Sequence, residues 1–248
     1  MPKTSNIRIF IDTKDLKIGQ SIELNKEQSH YLLSVMRLEN GADISIFNGI
    51  SGEFDCKLVV SGKKKANLQI INKTKEFKST PDIWLLFAPL KKDNTDFVVE
   101  KATELGVSAI FPVITKYTIS DKVKTQRWEA QSIEAAEQSR RLDIPKIMNP
   151  IPIKDLLQKW DTNRKLFFMD ETGEGADFFH SINEMSEPLA FLIGPEGGFS
   201  EEELKLLRDC PFATAINLGP RILRAETASI AALACWQASK GDWQQKGR

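Results

Sequence analysis

Residues 189–203 read LAFLIGPEGGFSEEE, and this stretch decides the fold of the larger part of the chain. Its first five residues have the length and the continuous apolar character of a strand buried on both faces. Gly194-Pro195-Glu196-Gly197-Gly198 follows as a loop, and Ser200 with Glu203 has the spacing of a capping box that opens a helix. A buried strand, a glycine loop and a capped helix in succession are typical of a parallel sheet covered by helices.

A second stretch repeats this succession, because residues 213–228 read ATAINLGPRILRAETA. A strand over 213–218 runs into a Gly-Pro loop before the last helix. In open parallel sheets, ligands bind beyond the carboxyl ends of strands, and glycines let backbone amides approach them closely. Either loop alone is equally typical of a tight turn, but both together after consecutive strands favour a shared ligand site. Neither loop matches the G-x-G-x-x-G or G-x-x-x-x-G-K-[ST] pattern, which argues against a plain Rossmann or P-loop enzyme.

Working outward, strands and helices alternate from residue 83 onward, which predicts an α/β domain with a parallel sheet and helices on both faces. The predicted strands cover residues 83–88, 107–114, 166–169, 189–193 and 213–218. The predicted helices cover residues 96–105, 125–141, 200–210 and 226–239.

Residues 1–72 have a different sequence pattern, in which short strand-like runs are separated by turn residues. Strands are predicted at 7–11, 21–24, 44–47, 53–60 and 66–71, with one helix at 26–37. This pattern predicts a small β-barrel or open sheet, a polar linker over 73–81 and a second domain over 82–248. Residues 1–80 carry 13 Lys and Arg against 9 Asp and Glu, within a chain of zero net charge. The modestly basic first part is compatible with nucleic-acid binding.

The overall composition, 41% hydrophobic and 27% charged, is that of an ordinary globular protein. Cys56, Cys210 and Cys235 are odd in number and widely spaced, which indicates a reducing compartment. With only His30 and His180 as histidines, we expect no metal site. The first residues lack the apolar segment of a secretory signal, and the apolar runs are too short to cross a bilayer. We therefore expect a soluble, cytoplasmic protein.

The two glycine loops and several motifs upstream of them together resemble a known family. The motifs are IGPEGGFS (193–200), LGPRILRAETA (218–228), KATELGV (101–107), EQSRR (137–141) with Ile144-Pro145, and His30 with Met36-Arg37-Leu38. In this order the chain resembles the RsmE family, the 16S ribosomal RNA uracil-N3 methyltransferases of the SPOUT class. The motifs span nearly the whole chain, and the paired glycine loops are highly specific.

The resemblance implies a first domain like the PUA RNA-binding barrel and a second domain with a C-terminal trefoil knot. It also implies a homodimer that uses S-adenosyl-L-methionine and acts on 16S ribosomal RNA in the small ribosomal subunit. The knot follows from the resemblance alone, because knots are otherwise essentially absent from proteins.

In this family the backbone amides of the two glycine loops hold the adenine and ribose of the cofactor. Carried over to this sequence, the cofactor-binding residues are Ile193, Gly194, Pro195, Glu196, Gly197, Gly198, Leu218, Gly219, Arg221, Ile222, Leu223 and Thr227.

Three residues are candidates for catalysis. Methylation at uracil N3 requires loss of a weakly acidic proton, so Arg224 and Arg221 are candidates to face the developing charge or to grip a phosphate. The alternative is a salt bridge from these arginines to a neighbour such as Glu226. Glu226 is a candidate general base, although a helix N-terminus favours its ionised, weakly basic form; water or hydroxide is the alternative acceptor.

Six basic residues are candidates for contact with RNA phosphates: Arg37, Lys91, Lys92, Lys101, Arg140 and Arg141. The alternative for Arg37, Arg140 and Arg141 is structural, because cations are favoured at helix C-termini in any case.

Three positions depart from the family pattern. Asn94 stands where a basic residue is more common, Lys116-Tyr117-Thr118 replaces an acidic-Arg-Ser segment, and Ala225 stands where Thr is commoner. Two other functions stay open, a SPOUT ribose 2′-O-methyltransferase of tRNA or rRNA and a non-catalytic RNA-binding factor in ribosome assembly. The segment from Leu223 to Ala228 favours base methylation, because the ribose enzymes carry a Ser-Leu-Asn-Val-Ser type run there.

Overall fold

The computed structural model describes residues 7–119, 122–182 and 186–244. These divide into two compact units. The first unit contains the residues up to Ser79 together with Ala136–Asp143, and the second contains Thr80–Ala135 and the residues from Ile144 onward.

The first unit is built on a sheet whose strand order is β1-β3-β4-β5-β2. β1 pairs with β3 in parallel, and the other neighbours are antiparallel. Alternate residues, such as Ile44 and Ile46, point into a small apolar core. The strands are β1 (Arg8–Phe10), β2 (Ser21–Glu23), β3 (Asp43–Phe47), β4 (Glu53–Gly62) and β5 (Lys65–Lys75). The predicted sheet with five strands is thereby confirmed.

One helical segment interrupts these strands, as predicted. Helix α1 (Lys26–His30) opens with a capping box between Asn25 and Gln28 and continues as a π-helical turn over Tyr31–Val35. It ends two residues before the predicted Arg37, which adopts a positive φ of 53° and is exposed.

The predicted linker begins too early, because β5 continues through Lys75. Lys73 and Lys75 pair with Phe54 and Glu53 across an irregularity in the ladder. Gly52 precedes this irregularity with a φ of +96°, and a β-carbon there would overlap the carbonyl oxygen of Lys75. The polar composition of the segment hid the strand, because its last five residues are all exposed.

Ala136–Asp143 belongs to the first unit, which the sequence pattern did not indicate. The buried Arg8 guanidinium forms an ion pair with Glu53 and donates to the carbonyl oxygens of Ala136 (2.8 Å) and Arg141 (2.6 Å). A buried cation requires such partners, so these bonds hold the segment against β1 and β4.

The second unit contains a parallel sheet, whose strand order is β11-β13-β10-β12-β6-β7-β8, with β9 paired to β7. The recorded pairings are all parallel. The strands are β6 (Ile83–Phe87), β7 (Ala109–Ile114), β8 (Lys146–Ile147), β9 (Ile151–Pro152), β10 (Lys165–Met169), β11 (Ala176–Asp177), β12 (Leu189–Ile193) and β13 (Ala213–Asn217).

Helices cover both faces of this sheet, as the alternating pattern predicted. Leu85 packs with one apolar core and its neighbour Leu86 with a second core on the opposite face. The helices are α2 (Lys92–Glu104), α3 (Thr125–Ser139), α4 (Ile153–Gln158), α5 (Phe178–Ile182), α6 (Glu201–Arg208) and α7 (Ala225–Ser239). α2 begins four residues earlier than predicted and α3 ends two residues earlier, at Ser139. The short elements β8, β9, β11, α4 and α5 were not predicted, because they are too brief to show a periodic pattern.

The last connection brings the two glycine loops together. β13 neighbours β10, yet α7 packs against α2, β12 and β6. The segment from Leu218 to Arg224 therefore passes the carboxyl ends of β10 and β12. The trefoil knot stays a prediction. Within the described ranges, no helix is both long and apolar enough to span a membrane.

Candidate active site

A cavity of about 420 Å³ lies at the carboxyl ends of β10, β12 and β13. Its volume is within the range of small-molecule sites, roughly 300–1,000 Å³. Three loops and the start of α7 line it: Met169–Gly173, Ile193–Glu196 with Gly198 and Phe199, Ile216–Ala225, and Ala228. The two glycine loops that the sequence singled out therefore form one site, together with a third loop after β10.

The first glycine loop is a tight, well-packed turn. Gly198 donates to the carbonyl oxygen of Pro195 (2.9 Å) and has a φ of +69°. A β-carbon at this position would overlap the carboxylate of Glu171, on the third loop. Ser200 and Glu203 then form the predicted capping box of α6. Only glycine satisfies both the positive φ and the close approach at position 198.

The second glycine loop is open by comparison. Gly219 has a φ of +110° and donates to Asn217 Oδ1 (2.7 Å), and no atom lies within 4 Å of a β-carbon built on it. Arg221 and Ile222 are exposed, with Ile222 retaining 83% of its accessible surface. This loop leaves room beside its backbone for a bound molecule.

The third loop depends on Asp170, a buried residue that sequence reasoning missed. Its carboxylate accepts hydrogen bonds from Thr172 N (2.9 Å), Thr172 Oγ1 (2.7 Å) and Arg208 (2.8 Å). Burial alone would raise the pKa of Asp170, but the bonds from Arg208 and Thr172 outweigh it and hold the pKa below its ordinary value. Its place directly after a buried strand was the available signal.

We expect Asp170→Asn to lower the free energy of unfolding by about 1–2 kcal/mol at neutral pH. Because the folded-state pKa lies below the ordinary value of 3.8, this stabilisation is present above that value. It is lost as the pH falls through the folded-state pKa, so the two proteins should converge in acid. Urea unfolding across a pH series measures this difference. Glu174→Gln is the control, since Glu174 also pairs with Arg208 but is exposed; an equal effect of both variants would contradict the assignment.

Most residues predicted to bind the cofactor line the cavity. They are Ile193, Gly194, Pro195, Glu196, Gly198, Leu218, Gly219, Arg221, Ile222 and Leu223. Gly197 and Thr227 are not among the lining residues. A β-carbon on Gly197 would lie 3.3 Å from the Tyr117 β-carbon, and Thr227 is exposed on α7. Their sequence neighbours line the cavity, whereas these two residues do not.

Of the three predicted catalytic residues, two line the cavity and one does not. Arg221 and Arg224 line the cavity, are exposed, and form no ion pair with a described residue. The alternative of a salt bridge to Glu226 is therefore not what the structure contains. Glu226 is not among the lining residues. Its Oε1 lies 3.5 Å from the Asn94 side-chain nitrogen, and its Oε2 is buried with no hydrogen-bond partner among the described residues.

The candidate RNA contacts also differ in how available they are. Arg37, Lys91, Lys92 and Arg140 are exposed, and Arg140 follows the end of α3 with a φ of 63°. Lys101 is half-buried between Glu100 and Glu104. The Arg141 side chain retains only 7% of its surface and pairs with Asp143. Among the residues that the structure describes, no group of three or more His, Cys, Asp or Glu could hold a metal ion.

Two family models match this chain. The RNA methyltransferase domain model matches residues 76–237, and the RNA methyltransferase PUA domain model matches residues 24–71. The first match covers the parallel sheet and the cavity, and the second lies within the first unit. The expected fold class, a PUA-like domain followed by an α/β methyltransferase domain, is thereby confirmed.

Individual relatives agree with these models. The chain is 34% identical to the ribosomal RNA small subunit methyltransferase E of Rickettsia conorii, over 92% of this chain and 93% of the relative. It is 30% identical to the enzyme of the same name from Bacillus subtilis, over 91% and 94% of the two chains. The crystal structure of the ribosomal RNA small subunit methyltransferase E from Neisseria gonorrhoeae bound to S-adenosyl methionine superposes with a TM-score of 0.87. That match has 31% identity and covers 96% of this chain and 99% of the other.

The expected family resemblance is therefore confirmed on three grounds: the domain models, the identity over nearly the whole length, and the superposition. With its two glycine loops joined in one cavity at the sheet's carboxyl edge, this chain belongs to the ribosomal RNA small subunit methyltransferase E family.

Proposed function

We propose that this chain transfers a methyl group from S-adenosyl-L-methionine to N3 of a uracil in 16S ribosomal RNA of the small ribosomal subunit. One observation carries the proposal: the two glycine loops close a single cavity, whose lining includes two arginines that form no ion pair with a described residue. Family membership supplies the reaction class, and the cavity supplies a site in which it can occur.

The cavity fits the cofactor in size and in the chemistry of its lining. Ile193, Leu218 and Leu223 offer apolar surface for a heterocycle, while the loop backbone offers amides and carbonyls. Glu171 and Glu196 are exposed on the lining and are the acceptors available for an amino group. When bound there, the cofactor supplies an electrophilic methyl group on a sulfonium.

The uracil N3 proton must leave before or during transfer, which puts negative charge on the base. Arg221 and Arg224 are the cations available to stabilise that charge, and their guanidinium groups are not engaged by another described residue. Glu226 lies outside the lining and its carboxylate faces Asn94. We therefore assign the proton to a water or hydroxide at the cavity mouth rather than to Glu226.

Recognition of the RNA falls to both units in this proposal. The first unit is matched by a PUA domain model and presents the exposed Arg37 and Arg140. Lys91 and Lys92 follow β6 at the same edge of the sheet as the cavity, where they are placed to contact phosphates. Lys101 and Arg141 are less suited to this role because they are already paired.

We further propose that the active form is a homodimer, acting in the cytoplasm on small subunits. The support for this dimer is the family resemblance, which implies it. Light scattering coupled to size exclusion should give twice the mass of the chain, and a monomer that retains full activity would contradict the proposal.

The function is tested with small ribosomal subunits from cells that lack this gene. Subunits incubated with the protein and tritium-labelled S-adenosylmethionine are digested to nucleosides and separated by chromatography with mass detection. We expect label in 3-methyluridine and none in large subunits. Label in a 2′-O-methylnucleoside would instead identify a ribose methyltransferase. Binding of cofactor and subunits without any methyl transfer would identify a non-catalytic assembly factor.

A further inference from the structure

A short turn at the carboxyl end of β7 is unusually well fixed. Thr118 donates its backbone N–H to the carbonyl oxygen of Thr115 (3.2 Å), and Thr118 Oγ1 accepts from Thr115 N (2.8 Å). The buried carboxylate of Glu203 accepts from Lys116 N (2.8 Å) through one oxygen and from Ser200 N (2.9 Å) through the other. The same side chain therefore caps α6 and holds this turn.

The fixed turn places Tyr117 beside the first glycine loop. Its β-carbon lies 3.3 Å from where a Gly197 β-carbon would be, so a side chain at position 197 would crowd Tyr117. Glu196 and Gly198, on either side of Gly197, line the cavity. Tyr117 thus borders the cavity rim without belonging to its lining.

The Tyr117 ring is presented to solvent rather than buried, with 47% of the residue exposed. Lys116 stays beside it, with its amino nitrogen 5.9 Å from the ring centroid and paired to Glu202 (3.0 Å). An aromatic ring held by its backbone loses little conformational entropy when a ligand covers it.

Four cations stand on the same edge of the sheet as this ring. Lys91 and Lys92 follow β6, the strand next to β7, and Arg221 and Arg224 stand on the cavity lining. All four are exposed and form no ion pair with a described residue. An exposed aromatic ring on the same edge of the sheet as these cations suits a single-stranded nucleic acid, whose bases stack on the ring while its phosphates contact the cations.

We propose that Tyr117 is a stacking platform for an unpaired base of the RNA substrate at the mouth of the methylation site. This inference rests on the proposed function, since it assigns a contact for that function's substrate. A stacked base at this position would orient the RNA strand toward the cavity and would discriminate single-stranded from duplex RNA.

The test compares Tyr117→Ala with Tyr117→Phe. Binding is measured with a fluorescein-labelled oligouridine and with small ribosomal subunits, and turnover is measured as a function of subunit concentration. Tyr117→Ala should weaken RNA binding and raise KM by roughly tenfold, the scale of one lost stacking contact. Tyr117→Phe should stay close to wild type, because the ring and not the hydroxyl stacks. A duplex of the same length should bind both variants equally.

The control variant is Trp243→Ala. Trp243 is also exposed, but it follows the far end of α7, which begins at the cavity and runs away from it for 15 residues. It should leave both KM and RNA affinity unchanged.

Affinity for S-adenosylmethionine separates stacking from a merely structural role. If Tyr117→Ala weakens cofactor binding as much as RNA binding, Tyr117 only supports the glycine loop and the proposal is overturned. Unchanged RNA affinity, or failure of Tyr117→Phe to restore it, overturns it as well. If the wild-type protein methylates no subunits but Tyr117→Ala still weakens RNA binding selectively, the stacking role of Tyr117 is supported and the proposed function is wrong. If the wild-type protein binds no RNA, the stacking role of Tyr117 is overturned as well.

Discussion

Arg224→Ala is expected to slow single-turnover methyl transfer by roughly a hundredfold or more, the scale of a lost electrostatic stabiliser. Arg224 lines the cavity, is exposed, and forms no ion pair with a described residue. A charge that stabilises the uracil anion acts mainly in the transition state. The rate should therefore fall while affinity for cofactor and RNA is kept.

The helix itself should tolerate this change. Arg224 is the N-cap residue of α7, but its side chain makes no capping hydrogen bond. Thermal unfolding should accordingly be unchanged, which separates a loss of chemistry from a loss of structure. Rates are measured with enzyme in excess and saturating small subunits. If they match wild type under those conditions, Arg224 is a binding residue and its catalytic assignment is wrong.

Lys92→Ala is the matched comparison, since Lys92 is an exposed cation on the same edge of the sheet. A phosphate contact contributes to affinity and to its salt dependence. This variant should bind subunits more weakly, with a flatter dependence on salt, and should recover the wild-type rate at saturation. The two variants together distinguish a cation that stabilises the transition state from a cation that contributes to RNA affinity.

Gly219→Val is expected to weaken binding of S-adenosylmethionine by roughly tenfold to a hundredfold, because a side chain at the cavity edge would take space that the cofactor needs. Gly219 lines the cavity with a φ of +110°, and the space where a β-carbon would stand is open. A branched side chain would occupy this space at the cavity edge. Isothermal titration with the cofactor measures the loss.

Strain is the competing explanation for that loss, because a β-branched residue tolerates a positive φ poorly. Gly41→Val controls for it: Gly41 has a φ of +86°, also faces open space, and lies in the first unit. Both variants should lose stability, but only Gly219→Val should lose cofactor affinity. Unchanged affinity in Gly219→Val would put the cofactor site elsewhere.

The sequence by itself determined the fold class and the order of the main elements. Leu189–Ile193 and its neighbours are apolar on both faces, and such runs have few alternatives to a central parallel strand. The glycine loops after β12 and β13 marked the site because carboxyl ends of parallel strands share one edge of the sheet. These signals are local or periodic, so they can be recognised from one sequence without a structure.

The tertiary structure alone decided which side chains enter the site. Gly197 and Glu226 each stand beside residues that line the cavity, yet neither lines it, because the backbone direction at one residue is set by contacts made elsewhere. Asp170 and Tyr117 matter for the opposite reason. Their partners Arg208 and Gly197 lie 38 and 80 positions away in sequence, and no local pattern encodes such pairings.

The division between the units shows the same limit. The helix predicted over residues 125–141 begins in the second unit, so periodicity assigned residues 136–141 to that unit. Arg8 instead donates to the carbonyl oxygens of Ala136 and Arg141, and this buried cation holds the segment in the first unit. Sequence periodicity determines which face of an element is apolar. Only the folded chain determines which residues a buried charge pairs with, because desolvation makes partners necessary without specifying which residues they are.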